Sequence, residues 1–132
     1  MNPKERQFSP LHVLAAAALA LAMAPAAGQP EQSYRPITAQ ALYEGIMDGG
    51  LADWVEDPAQ RTMLSTFMAT SYILGVADDA RGRQWCPPAD LGIQPMVGAV
   101  MDHLADLPEA RRSEDAAAVV GEALGKAHPC EP

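Results

Sequence analysis

Positive charge is scarce in this sequence: 9 Lys and Arg stand against 17 Asp and Glu in 132 residues, a formal net charge of −8. Such a balance repels phosphate backbones and anionic lipid headgroups, so nucleic-acid binding is set aside and a basic protein is the better partner. The sequence also lacks a glycine-rich phosphate loop, a Ser-His-Asp set in a known context and any zinc-ligand spacing. Catalysis therefore has no visible residues, and neither a cofactor nor a metal is expected. No stretch alternates apolar and polar residues as a half-buried strand would, and no repeat is visible, which removes β architectures and solenoids. Cysteine is reduced to two residues, Cys86 and Cys130.

What is present begins in the order of an export signal. Lys4 and Arg6 precede an uncharged stretch from Val13 to Ala24 dominated by Ala and Leu, and small residues follow from Pro25 to Gly28. Cleavage after Ala26 and cleavage after Gly28 both fit the small-residue rule. A retained membrane anchor fits less well, because the apolar stretch is shorter than the roughly 20 residues of a bilayer span and is mostly Ala. Residues 1–28 are thus expected to be a signal peptide and the mature protein to be periplasmic. Losing Lys4, Arg6 and Glu5 takes the 9 basic residues to 7 and the 17 acidic ones to 16, a mature charge of about −9. About 104 residues remain, enough for one modest core that gains from a covalent staple. In an oxidising compartment Cys86 and Cys130 should pair, closing a loop of about 45 residues and contributing on the order of 4 kcal/mol in the chain-entropy model. A nucleophilic cysteine would need a low-pKa thiolate beside a His, and export would tend to oxidise it.

Residues 29–36 are polar, hold two prolines and lack periodicity, and read as a flexible mature N-terminus. Order is expected from Ile37, with Thr38 as N-cap, Ile37 and Leu42 as a hydrophobic staple, Leu42 and Ile46 as the apolar stripe, and Gly49 and Gly50 as the stop. Asp57 and Pro58 open a long second helix to about Ala80, ended by Arg81 and Gly82. Met63, Leu64, Phe67, Met68, Leu74 and Val76 cover much of its circumference, which predicts packing on more than one side. Gly75 inside it predicts the close approach of another backbone. Cys86, Pro87 and Pro88 make a stiff extended connector. A third helix is expected from near Pro95, with Met96, Val97, Val100, Met101 and Leu104 at helical spacing and Pro108 at its end. A fourth runs from about Ser113 to Ala127, with Glu114 and Asp115 in its first turn, Lys126 in its last, and Ala116, Val120 and Leu124 four apart. The expected fold is all-α, a small single domain of about four helices closed by one disulfide and preceded by the signal peptide.

Three sets of residues invite chemistry. His103 lies between Asp102 and Asp106, but a metal site needs three or four ligands and nothing else has compatible spacing, so His103 reads as a surface helical residue. Asp78 and Asp79 could serve as acid and base, yet neighbours on a helix point about 100° apart, and a solvated acidic end or turn cap is the better reading. Met47, Met63, Met68, Met96 and Met101 offer soft sulfur ligands, but they fall mostly on helical apolar positions and read as core filling.

Several pieces then stand in a recognisable order: Ser71-Tyr72-Ile73-Leu74-Gly75-Val76-Ala77-Asp78, Trp85-Cys86-Pro87-Pro88, His103-Leu104 with Pro108-Glu109, Ala123-Leu124, and His128-Pro129-Cys130. Over roughly residues 37–130 the chain resembles the Rap/Tai family of immunity proteins, which neutralise peptidoglycan amidase toxins delivered by type VI secretion. The resemblance implies a periplasmic helical domain, often a homodimer, that has no enzymatic activity and caps a cell-wall amidase toxin. It also implies that Cys86 and Cys130 pair. Family members often carry a second cysteine pair on the first two helices, where this chain has apolar residues near Ile46 and Ala69. The alternative reading is an acid-stress chaperone, whose interface would open as its Asp and Glu protonate.

Overall fold

Thr38 opens the first helix in the computed structural model, which describes residues 33–131. The expected signal peptide, residues 1–28, and the first part of the expected flexible stretch lie outside the described residues. Helix α1 spans Ala39–Met47, and the Thr38 hydroxyl accepts from the Ala41 amide at 3.2 Å. Two more amides of its first turn are met by a distant part of the chain: Ala39 donates to Glu114 O and Gln40 to Arg112 O, each at 2.9 Å. In return the Ala116 amide donates to Ile37 O at 2.8 Å. These exchanges satisfy donors that a helix start leaves without intrahelical partners, and they tie the beginning of the domain to the start of its last helix. After Met47, Gly49 takes a left-handed φ of 77°, which glycine adopts without steric cost. A 3₁₀ turn, Gly50–Ala52, follows.

Asp57 and Pro58 start the long helix as the sequence predicts. Helix α2 spans Pro58–Ala80, and the Asp57 carboxylate accepts from the Gln60 amide at 2.8 Å. Its fully buried residues form one stripe, while the helix packs against both α1 and the last helix of the chain, with Leu74 and Val76 lying against the core. Ser65, Ala69, Ile73 and Ala77 recur every four residues and are buried, while Met63, Phe67 and Met68 face solvent. Small side chains in that stripe let α1 come close: a Cβ on Gly45 would stand 3.6 Å from Ala69 Cβ. The buried Ser65 hydroxyl donates to Gly45 O at 2.5 Å and accepts from the Leu51 amide at 3.0 Å, so its polarity is satisfied.

Helix α3 spans Ile93–Ala105 and α4 spans Ala116–Ala127. Helix α3 begins ahead of Pro95 because first-turn amides have no intrahelical acceptor, so the missing proline N–H breaks no bond there. Helix α4 begins later than Ser113 because Asp115 caps it, its carboxylate accepting from the Ala117 amide at 2.8 Å. Glu114 therefore precedes the helix instead of sitting in its first turn, and Glu109–Arg111 form a second 3₁₀ turn. The close backbone approach expected at Gly75 lies elsewhere. A Cβ on Gly75 would meet nothing within 4 Å, whereas one on Gly125 of α4 would stand 2.8 Å from Gln84 O.

Leu42, Ile73, Trp85, Val100, Val119, Val120 and Leu124 contribute to one buried core drawn from all four helices and the connector after α2. Among the described residues there are four α-helices and no strand beyond two isolated bridges, Thr38 with Asp115 and Arg81 with Trp85. Cys86 and Cys130 are bonded, with an S–S distance of 2.06 Å, and the connector is fixed further by the Cys86 amide donating to His128 O at 2.9 Å. The all-α class and the single closing disulfide are as the sequence predicts.

Candidate partner-binding surface

The residues singled out for chemistry are placed in structural roles. Asp78 and Asp79 are exposed and each is paired with an arginine just beyond the helix: Asp78 with Arg81 at 3.2 Å and Asp79 with Arg83 at 2.8 Å. Exposed pairs of this kind contribute little stability. Next to them Trp85 is 2% exposed, its indole N–H donating to Ala77 O at 2.8 Å, with the ring 6.2 Å from that of His128. The Cys86–Cys130 bond therefore closes over a packed indole.

His103 departs from its expected place on the surface. Its side chain is largely buried, and its partner is neither Asp102 nor Asp106 but Glu122 on α4, at 3.4 Å from Nε2 to Oε1 and without hydrogen-bond geometry. Glu122 is the centre of a charged group that joins α3, α4 and the turn between them. Arg111 reaches it at 2.6 Å and Glu114 at 2.9 Å, and Lys126 reaches it at 3.3 Å. Hydrogen bonds from the Arg111 guanidinium hold the Glu122 carboxyl down at about 2 and lower that of Glu114, while the two carboxylates raise Arg111 in turn. Among the described residues, no three His, Cys, Asp or Glu side chains are grouped so as to hold a metal ion.

The methionines correct a further expectation. Met96 is buried and Met101 packs against the core, but Met47, Met63 and Met68 are exposed. Met63 is 70% exposed, as is Phe67 one turn later, and Trp54 in the turn before α2 is 65% exposed. Met63 and Phe67, four apart, share one helix face, and Leu64 and Met68 lie on the next. Farther along the same side Ser71 and Gly75 carry almost no side chain and border a shallow depression closed by Ala117 and Ala118 of α4. Sequence reasoning missed this surface because it assigned the large apolar residues to the core. The signal was the competing stripe of Ser65, Ala69, Ile73 and Ala77, whose spacing is also helical.

The segment that joins α1 to α2 carries acids. From Asp48 to Asp57 the chain carries Asp48, Asp53, Glu56 and Asp57, all exposed, and no Lys or Arg. The nearest cation, Arg61, donates to the carbonyls of Val55, at 2.7 Å, and Glu56 instead of to a carboxylate. Among the described residues none of these four acids forms an ion pair, in contrast to Asp78, Asp79, Glu114 and Glu122. Exposed aromatic and methionine side chains of this kind form a surface suited to another protein.

No curated relative matches the chain. A family model does match it, from the α1 cap to the second half of the disulfide, so that the matched span and the stapled helical unit begin and end together. Over residues 38–130 the chain fits the Rap1a immunity proteins, and it belongs to that family.

Proposed function

We propose that this protein is a periplasmic immunity protein that binds, one to one, a peptidoglycan amidase delivered by a type VI secretion system, and blocks it without chemistry of its own. The observation that carries the reading is the family match across residues 38–130, which spans all four helices and the disulfide. Three features support the finer parts. The opening residues have the order of an export signal, and the Cys86–Cys130 bond suits an oxidising compartment. The excess of acid favours encounter with a basic partner. The acid-opened chaperone is less well supported, because the family match is to immunity proteins.

Cells producing, in their periplasm, an amidase effector from the genome that encodes this protein provide the test. The full chain should rescue their growth, and a form lacking residues 1–28, held in the cytoplasm, should not. Rescue by the cytoplasmic form would contradict the proposed compartment, and lysis despite abundant exported protein would contradict the immunity reading.

A further inference from the structure

We propose that the exposed methionines, Met63 first and then Met47 and Met68, are oxidation sites: a peroxide converts their thioethers to sulfoxides while the domain stays folded, and the surface there becomes polar. This goes beyond the immunity reading and does not rest on it. The chain offers a peroxide no thiol, because its two cysteines, Cys86 and Cys130, are bonded to each other. Thioether sulfur is then the group most readily oxidised, and the oxidant must reach its lone pair to react. Exposure separates the methionines. Met63 is 70% exposed, Met47 55% and Met68 37%, whereas Met96 is 6% exposed in the core and Met101 packs against it.

The step balances between the two reactants. The sulfur lone pair attacks one oxygen of hydrogen peroxide, the O–O bond breaks, an S–O bond forms, and the second oxygen leaves as water with both hydrogens. Sulfur gives up two electrons and the peroxide takes them. What the product does depends on where the sulfur sits. The buried stripe of α2 is Ser65, Ala69, Ile73 and Ala77, so a sulfoxide on Met63 lies in water and disturbs no core contact. On Met96 the same oxygen would place a polar group inside the core and oppose folding. Met63 shares its helix face with the exposed Phe67, so the change removes apolar area from that face. Methionine sulfoxide is reduced back to the thioether by reductases, which makes the change reversible.

The test treats the purified mature protein with graded hydrogen peroxide and maps the added oxygen by peptide mass spectrometry. Met63 should be modified about tenfold faster than Met96, following the ratio of their exposures. Once Met63 and Met47 are modified, the melting temperature should stay near that of the untreated protein, and the protein should elute earlier from a phenyl column. A variant combining Met47→Leu, Met63→Leu and Met68→Leu should keep its elution time through the same treatment, which assigns the change to these sulfurs. Equal rates at Met63 and Met96, or loss of the cooperative melt as Met63 is modified, would overturn the inference. An unchanged elution time in the treated parent, or a shift of equal size in the leucine variant, would overturn it as well.

Discussion

The two tryptophans of this protein stand in opposite environments, and the contrast extends to the regions around them. Trp85 is buried, its N–H is satisfied by Ala77 O, and the Cys86–Cys130 bond closes beside it. Trp54, in the turn before α2, is mostly exposed, in a segment whose four acids form no ion pair among the described residues while Arg61 donates to the Val55 and Glu56 carbonyls. Beside Trp85, at the end of α2, Asp78 and Asp79 each meet an arginine. Around Trp54 the chain keeps apolar area and negative charge on its surface. The first region holds the fold, and the second is available to something outside it.

The sharpest way to break the comparison is to remove each indole. Trp85→Ala should cost about 3–5 kcal/mol of unfolding free energy, the range for deleting a buried aromatic. Trp54→Ala should stay within about 0.5 kcal/mol, as surface changes do. Urea unfolding of both variants measures the difference, and equal losses would erase the distinction. Replacing Cys86 and Cys130 together with Ser should cost about 4 kcal/mol in the chain-entropy model for a loop with a sequence separation of 44.

Two glycines extend the contrast at smaller cost. Gly125→Ala places a Cβ 2.8 Å from the Gln84 carbonyl, so backbone must shift, at about 1–3 kcal/mol. Gly75→Ala meets nothing within 4 Å and should stabilise α2 by about 0.5–1 kcal/mol through its helix propensity. Thermal melts of the two should therefore move in opposite directions.

Much of this was legible in the sequence because its causes are local. Thr38 and Asp57 announce helix starts by the reach of a short side chain to a nearby amide, and two lone cysteines leave one pairing. What was not legible depends on competition or distance. In α2 two helical stripes overlap, and the one with smaller residues, Ser65 to Ala77, goes inward because it lets α1 approach at Gly45. Large apolar type alone therefore placed Met63 and Phe67 wrongly. The last helix starts at Ala116 instead of near Ser113 because Asp115, expected in its first turn, caps it with the Ala117 amide within its reach. His103 meets a carboxylate on another helix, which spacing along its own helix does not reveal.

The smallest expected effect concerns acid. Glu122 has its folded value lowered from 4.5 to about 2, so its ion pairs contribute stability above about pH 4.5 and lose it as pH falls toward 2. Glu122→Gln should therefore narrow the difference in urea midpoint between pH 6 and pH 2.5, by a modest amount because these side chains are partly exposed and screened. Lys126, Arg111, Glu114 and His103 are the charged or titratable groups that face it.

Titration of the active effector with the purified mature protein, following cleavage of peptidoglycan fragments, tests the central claim most directly. Activity should fall linearly and vanish near one inhibitor chain per effector chain, with this protein recovered uncleaved and unmodified. Undiminished cleavage at a large excess of this protein would contradict the account.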